Sequence, residues 1–163
     1  MINAYLKGDT ETDDAAMHLL FSANRWEKRK QMLEKLEAGT TLVVDRYAHS
    51  GVAFTAAKGL PGLDRKWCQA PDEGLPAPDV VFFLNLTPEQ AAARGGYGSE
   101  RYETTEIQAR VRAQFDALQD ATWRIVDAAR SVESVQAEIT DEAERVLARC
   151  AAGVPLETLW LPN

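Results

Sequence analysis

Apolar residues recur at helical spacing from Asp13 or Asp14 to Glu37. Acidic residues open this stretch and Gly39 follows it, which suits the helix dipole and the usual C-terminal cap. The pattern predicts an amphipathic helix whose apolar positions are Ala16, Leu19, Leu20, Ala23, Met32, Leu33 and Leu36.

Two short apolar segments predict β-strands. The first, Leu42–Tyr47, is followed by a loop of small residues. The second, Val80–Leu86, is apolar on both faces, which predicts a central strand of a parallel sheet. A helix is predicted to start directly after it, because a capping box with proline at the first helical position is formed by Thr87, Pro88 and Gln90. A strand followed at once by a capped helix is half of a βαβ unit.

The rest of the chain continues this alternation. A helix is predicted from about Thr105 to Ala121, and the last strand with its exit turn spans Trp123–Ala129. Ser131 is predicted to cap a final helix that ends at Gly153. Its buried stripe is expected to consist of Val132, Val135, Ile139, Ala143 and Val146 or Leu147. The tail 154–160 is expected to pack back on the surface, and the stretch 59–78 reads as a long irregular connection that borders a binding site.

Composition narrows the class of protein. A chain of 163 residues fits one domain, here 1–163, and its composition is that of an ordinary globular protein. The net charge of −7 argues against nucleic acid and anionic membranes as partners. Two cysteines are too few for a disulfide framework, and neither a signal peptide nor an 18-residue apolar stretch is present. We therefore expect a soluble intracellular protein.

Three groups of residues are candidates for chemistry. Asp45 and Arg46 end an apolar segment, where a carboxylate can hold hydrated magnesium and a guanidinium can bind phosphate; the alternative is a surface ion pair. Phe21 and Arg25 share one helix face and can stack a base and bind a polar group, or form an aromatic packed beneath an arginine stem. The glycine-rich segment 94–101 can close over phosphates or be a plain solvent turn. His18 and His49 have no ligand-like partners, so we interpret both as structural.

Four segments together resemble the eukaryotic-type thymidylate kinases. Residues 45–54 match the family's DRY-x-x-SG-x-AF segment almost residue for residue. Residues 19–27 are similar to the thymidine-binding helix, 71–79 to the connection into the next strand, and 94–103 to the lid. The match runs in order from about Tyr5 to Trp160 and so covers nearly the whole chain.

The resemblance implies an α/β fold, the three-layer parallel sheet of P-loop nucleoside monophosphate kinases. In that family the strand order is 2-3-1-4-5, and the first two strands are not recognisable here. The phosphate-binding loop G-x-x-x-x-G-K-[ST] is also missing from the 163 residues. We therefore expect an N-terminally truncated chain in which Leu42–Tyr47 and Val80–Leu86 either pair directly or leave an open slot.

The resemblance also implies roles for single residues. Asp45 would hold Mg²⁺ through water and Arg46 would bind the acceptor phosphate, while Phe21 would stack thymine and Arg25 would bind its edge or the neighbouring phosphate. The acceptor pocket would be completed by Ser50, Gly51, Phe54, Gln108 and, near the sugar, Tyr102. The ATP side and lid would be served by Arg94, Arg101, Asp127 and Ala128.

Two functions remain open at this point. One is a kinase that transfers a phosphoryl group from ATP to dTMP in dTTP biosynthesis, although this chain alone is expected to be inactive. The alternative is a non-catalytic relative or isoform that binds nucleotide weakly or associates with other subunits. By resemblance, we expect a cytoplasmic homodimer with nuclear or mitochondrial pools.

Overall fold

A computed structural model describes Ile2, Tyr5, residues 11–93 and residues 105–161 of the chain. The chain divides into two compact units, one made of 1–76, 101–118 and 158–163, the other of 77–100 and 119–157. The helices are α1 (Asp14–Glu37), α2 (Ala48–Ala56), α3 (Arg65–Gln69), α4 (Pro88–Ala93), α5 (Thr105–Leu118) and α6 (Val132–Ala151). A 3₁₀ turn spans Ala70–Asp72, and the strands are β1 (Val81–Asn85) and β2 (Trp123–Asp127).

Helix α1 begins and ends where the sequence predicts. The Asp13 carboxylate accepts hydrogen bonds from the backbone N–H groups of Ala15 and Ala16. At the other end Gly39 adopts φ +79°, and the N–H groups of Gly39 and Thr40 donate to the carbonyls of Leu36 and Lys35. These are the two bonds of a Schellman motif, so a glycine at this position stops the helix.

Helix α2 replaces a predicted loop. Residues 48–56 of small and apolar character form a helix in which Ala48, Val52 and Ala53 are fully buried. It packs against α1, α3 and α5. Burying an apolar side chain of valine size contributes roughly 1.5–3 kcal/mol, and here nearly every side of the helix is buried. The prediction failed because such a helix lacks the polar face that reveals helical periodicity.

The predicted strand at Leu42–Tyr47 is wrong. Within the part of the chain that the structure describes, this segment joins no β-ladder, and Val43 is 96% exposed. A strand exists through hydrogen bonds to a neighbour, and a β-branched sequence alone does not supply them. The stretch 59–78 was also mispredicted, because it contains α3 and the 3₁₀ turn; Asp64 caps α3 by accepting from the Trp67 N–H at 2.8 Å.

The second unit contains a two-stranded parallel sheet. Val81 pairs with Trp123 and Asn85 with Asp127, which confirms the predicted parallel arrangement. In the described residues β1 has β2 as its one neighbour, so it is not the central strand that was predicted. Leu84 is accordingly 54% exposed.

The helix caps of the second unit are as predicted. The Thr87 N–H donates to Gln90 Oε1 at 2.8 Å, and the Gln90 N–H donates to Thr87 Oγ1 at 3.2 Å. Ser131 caps α6 by accepting from the Ser134 N–H. The predicted stripe of α6 is correct at Val146, but Val132 is 74% exposed because it lies in the first, poorly covered turn.

The tail packs back as expected. Gly74 N–H donates to the Leu159 carbonyl at 3.0 Å, and Leu159 N–H donates to the Leu75 carbonyl at 2.8 Å. Leu159 is buried beside Leu75 in the first unit. Along the described ranges, no helix is both long and apolar enough to cross a membrane.

His18 lies in the core of the first unit with both ring nitrogens hydrogen-bonded. Nε2–H donates to the Cys68 carbonyl at 2.8 Å, since a carbonyl only accepts, and Nδ1 accepts from Thr55 Oγ1 at 3.0 Å. Burial lowers the pKa of His18, although the Cys68 contact opposes this. The neutral ring therefore belongs to the folded core, in keeping with a structural role.

This burial predicts a pH-dependent loss of stability. Above the unfolded-state pKa of about 6.5 the ring is neutral in both states, so His18 adds no pH dependence. As the pH falls below that value, His18 is protonated in the unfolded chain but stays neutral in the folded chain. The free energy of unfolding therefore falls. We expect the difference in unfolding free energy between the wild type and His18→Gln to shrink from pH 7 to pH 5, by up to ~1.4 kcal/mol per pH unit. Urea denaturation at each pH is the measurement. Parallel pH profiles would contradict this.

Candidate functional site

A buried ion pair joins α1 to the 3₁₀ turn. Arg25 Nε donates to Asp72 Oδ1 at 3.0 Å and Nη2 donates to Oδ2 at 2.5 Å. The Asp72 side chain is fully buried, and that of Arg25 is 13% exposed. The Ser22 hydroxyl is a further donor to this carboxylate, with Oγ 2.7 Å from Asp72 Oδ1. The same Oγ lies 2.9 Å from the carbonyl oxygen of Pro71, a second acceptor. The pair is therefore bidentate and supported by a third donor, which fixes the plane of the guanidinium.

Gly51 on α2 faces this guanidinium. A Cβ atom at position 51 would stand 3.2 Å from Arg25 Nη2 and 3.4 Å from Nη1. The absence of a side chain thus lets α2 approach the arginine head closely. Any larger residue would have to displace a guanidinium that is held by Asp72, so the predicted importance of Gly51 has a steric basis in this fold.

Asp45 and Arg46 lie just before α2, in an environment that differs from that of the buried Arg25–Asp72 pair. Arg46 has φ +63°, and its guanidinium carbon stands 4.8 Å from the centre of the Phe54 ring. Phe54 in turn makes an edge-on contact with Phe115 at 6.3 Å. Asp45 and Arg46 are both exposed and form no ion pair with another described residue. The surface ion pair that the dipeptide alone suggested is not formed.

Tyr47 supplies a buried hydroxyl to the same region. Its oxygen is inaccessible to solvent and has no hydrogen-bond partner among the described residues. Burial, followed by the negative charge of Asp72, raises the pKa of Tyr47 to about 12, while Arg25 and Arg29 act in the opposite direction. The phenol therefore remains protonated across the physiological range.

The other predicted acceptor residues lie in the first unit. Phe21 is half-buried one turn before Arg25 on α1, so the two share a face as predicted. Ser50 is half-buried in the first turn of α2, where its N–H donates to the Tyr47 carbonyl at 3.1 Å. Gln108 is half-buried on α5, which packs against α2.

The predicted ATP-side residues are not found with the acceptor residues in the described part of the first unit. Arg94, Arg101 and Tyr102 lie outside the described residues, as does the lid segment 94–103. Asp127 and Ala128 belong to the second unit, where Asp127 accepts from the Ala129 N–H at 3.0 Å and closes the turn after β2. Ala128 N–H donates to the Asn85 carbonyl at 3.0 Å. These contacts are those of the exit turn that the sequence predicts after the last strand.

Sequence reasoning assigned no role to Ser22, Tyr47 or Asp72. Ser22 and Arg25 are three residues apart on α1, which signals a shared polar face inside an otherwise apolar stripe. Asp72 follows a proline and has no local cue, because its partners lie 47 and 50 residues away in sequence. Pairing over that separation becomes visible only in the fold.

Comparison with known proteins gives one consistent result. The family model described as thymidylate kinase matches residues 1–139. The thymidylate kinase of Arabidopsis thaliana is 51% identical over 160 residues, and that of Homo sapiens is 47% identical over 163 residues. Each alignment covers 98% of this chain, but the chain spans only 60% of the Arabidopsis protein and 76% of the human one.

A solved structure agrees with the sequences. The structure of thymidylate kinase from Candida albicans superposes with a TM-score of 0.80 at 35% identity, covering 90% of this chain and 74% of that one. Together with the parallel sheet, this similarity confirms the predicted nucleoside monophosphate kinase fold class.

The buried pair predicts a large effect of removing its acid. Asp72→Ala leaves the Arg25 guanidinium largely buried without its counter-charge and removes an acceptor from Ser22. Losing one partner of a buried pair typically costs 3–5 kcal/mol, so we expect a loss of about 3 kcal/mol in the free energy of urea unfolding. Glu73→Ala, at the exposed neighbouring position, is the matched control and should change stability by less than ~0.5 kcal/mol. Equal effects of the two substitutions would refute a structural role for the pair.

Proposed function

This chain belongs to the thymidylate kinase family, and on that premise we propose that its first unit binds dTMP as the phosphoryl acceptor. The observation that carries the proposal is the guanidinium of Arg25, held by Asp72 and facing Gly51. Its Nη1 makes no hydrogen bond to a described residue, so it is a positioned donor that the fold does not use. In this proposal Phe21, one turn away, stacks the base and Ser50, Phe54 and Gln108 line the pocket.

The charges around the two arginines support different ligand groups for each, the base for Arg25 and the phosphate for Arg46. Asp72 compensates the charge of Arg25, so Arg25 presents a hydrogen-bond donor with little net attraction for an anion. A neutral carbonyl of the thymine edge suits it better than a phosphate. Arg46 is exposed and uncompensated among the described residues, which suits a phosphate dianion. We therefore assign the base edge to Arg25 and the acceptor phosphate to Arg46.

The family implies Mg²⁺ with ATP, and Asp45 fits a water-mediated role. No cluster of three metal-ligating side chains occurs in the described residues, so an all-protein cage is not offered there. Mg²⁺ keeps several waters and commonly uses one or two carboxylates plus substrate phosphates, which one exposed, unpaired carboxylate satisfies. The ion, when bound, would neutralise charge on the phosphates, and Asp45 would hold its water shell.

The donor side supports a second candidate function. The 163 residues contain no G-x-x-x-x-G-K-[ST] loop, which in kinases of this type supplies backbone N–H groups, a lysine and a magnesium-binding hydroxyl. Phosphoryl transfer depends on such positioned charges. This favours a chain that binds acceptor nucleotide but transfers phosphate poorly by itself. Arg94, Arg101, Asp127 and Ala128 remain proposals for contacts with ATP.

A panel of binding measurements tests the assignment of the acceptor site. By calorimetry, Phe21→Ala should weaken thymidine and dTMP alike, by roughly tenfold, since base stacking is worth about 1–3 kcal/mol. Arg46→Ala should weaken dTMP by roughly tenfold or more and leave thymidine unchanged, because a charge-assisted bond contributes about 1.5–3 kcal/mol.

Leu19→Ala is the control for this panel, since Leu19 is an exposed apolar residue on the same helix. It should leave both affinities unchanged. Equal losses of thymidine and dTMP binding in Arg46→Ala, or no loss in Phe21→Ala, would show that the assignment is wrong.

Turnover should be close to background for this chain alone. Each positioned donor to a developing charge is worth ~10²–10³ in rate, and the missing loop removes several. A coupled ADP-release assay with dTMP, ATP and Mg²⁺ is the measurement. Turnover of ~1 s⁻¹ or more, the usual range for kinases, would exclude the non-catalytic alternative.

A further inference from the structure

Two arginines are associated with the first half of α2. Arg46 lies two residues before Ala48, the first residue of this helix, and the Nη atoms of Arg25 face Gly51, its fourth residue. A guanidinium suits a phosphate well, because its parallel N–H groups match two phosphate oxygens. Side-chain type alone therefore does not determine which of the two arginines receives the phosphate of a nucleotide.

Asp72 makes the two arginines unequal. Its carboxylate is fully buried and lies 2.5 Å from Arg25 Nη2 and 3.0 Å from Nε, so it occupies one edge of the guanidinium. Because the Arg25 side chain is only 13% exposed, water screens these charges little. An anion that approaches Arg25 is therefore repelled by a carboxylate of like charge. Arg46 is exposed and has no acidic partner among the described residues.

The contacts of Asp72 allow its charge to be separated from its hydrogen bonds. Ser22 Oγ donates to Oδ1 at 2.7 Å, and Arg25 Nε donates to the same oxygen at 3.0 Å. The carbonyl oxygen of an asparagine side chain has two lone pairs and can accept both bonds. Asparagine would therefore keep the link between α1 and the 3₁₀ turn, but it would not compensate the positive charge of Arg25.

We propose that Asp72 is a positioning residue that acts through Arg25: its charge excludes phosphate from this guanidinium and thereby fixes the direction in which dTMP binds. This inference rests on the proposed function of the first unit as a dTMP site. The base edge is neutral and needs a donor, which Arg25 Nη1 supplies without a net positive charge. The phosphate is left to Arg46. Removing the negative charge of Asp72 should therefore create a second phosphate site, at Arg25.

Calorimetric titration of the full chain with inorganic phosphate tests this gain of a site. Arg46→Ala should lose phosphate binding. Adding Asp72→Asn to Arg46→Ala should restore it, with an affinity at least about tenfold above that of Arg46→Ala, because an uncompensated guanidinium forms a charge-assisted bond. Glu73→Gln in the same background is the matched control, since it removes one negative charge at the exposed neighbouring position. It should restore no phosphate binding.

Competition between phosphate and thymidine gives a second measurement, which in the wild type does not depend on how well Asp72→Asn folds. In the wild type, phosphate should leave the affinity for thymidine unchanged, because it binds at Arg46. In Asp72→Asn, phosphate at about ten times its dissociation constant should lower the apparent thymidine affinity about tenfold, because both ligands then bind at Arg25. Sodium chloride at equal ionic strength controls for screening.

These measurements separate failure of the inference from failure of the proposed function. Phosphate that competes with thymidine in the wild type overturns the inference and leaves the acceptor site standing. A folded Arg46→Ala/Asp72→Asn variant that binds no phosphate has the same consequence, as does a Glu73→Gln control that gains phosphate binding equally. If the wild type binds neither thymidine nor dTMP, the proposed function fails, and this inference fails with it.

Discussion

The ion pair between Arg25 and Asp72 is the constraint on which the first unit depends. A fully buried carboxylate is tolerable only with a partner, and the bidentate guanidinium with the Ser22 hydroxyl supplies three donors to it. This ties the middle of α1 to the 3₁₀ turn. It also favours glycine at position 51, since a Cβ there would lie 3.2 Å from Nη2 of the fixed guanidinium. One pair thus determines the approach of two helices and a turn.

The same pair makes the environment of Arg25 different from that of Arg46. A compensated guanidinium keeps its hydrogen-bond geometry but loses most of its attraction for anions. Arg46 differs in every respect: it is exposed, has a left-handed backbone and stacks on Phe54. Two arginines of identical chemistry therefore have different environments, because one pairs with a buried acid and the other lies against an aromatic ring. No property of the side chains themselves distinguishes them.

Local signals in the sequence were sufficient wherever structure is decided locally. The start of α1 at Asp13 or Asp14, the capping box of Thr87 and Gln90, and the Ser131 cap each depend on residues close in sequence, and all were predicted correctly. The segment Leu42–Tyr47 failed for the opposite reason. Its β-branched residues fit a strand, but pairing is decided by a neighbour elsewhere in the chain, and Val43 is left almost fully exposed.

The same contrast between local and distant signals applies to the residues of the candidate site. Arg25 and Gly51 lie in short segments that resemble the family and so became candidates from the sequence, whereas Asp72 did not, because its pairing with α1 spans 47 residues. The structure adds a criterion that sequence lacks, which is whether each polar group already has a partner. Ser22 and Asp72 are fully engaged with the fold and belong to the scaffold. The exposed, unpaired groups of Asp45 and Arg46 are not required by the fold, since neither contributes a described hydrogen bond to it. A polar group that the fold does not use is therefore the better guide to where a ligand binds.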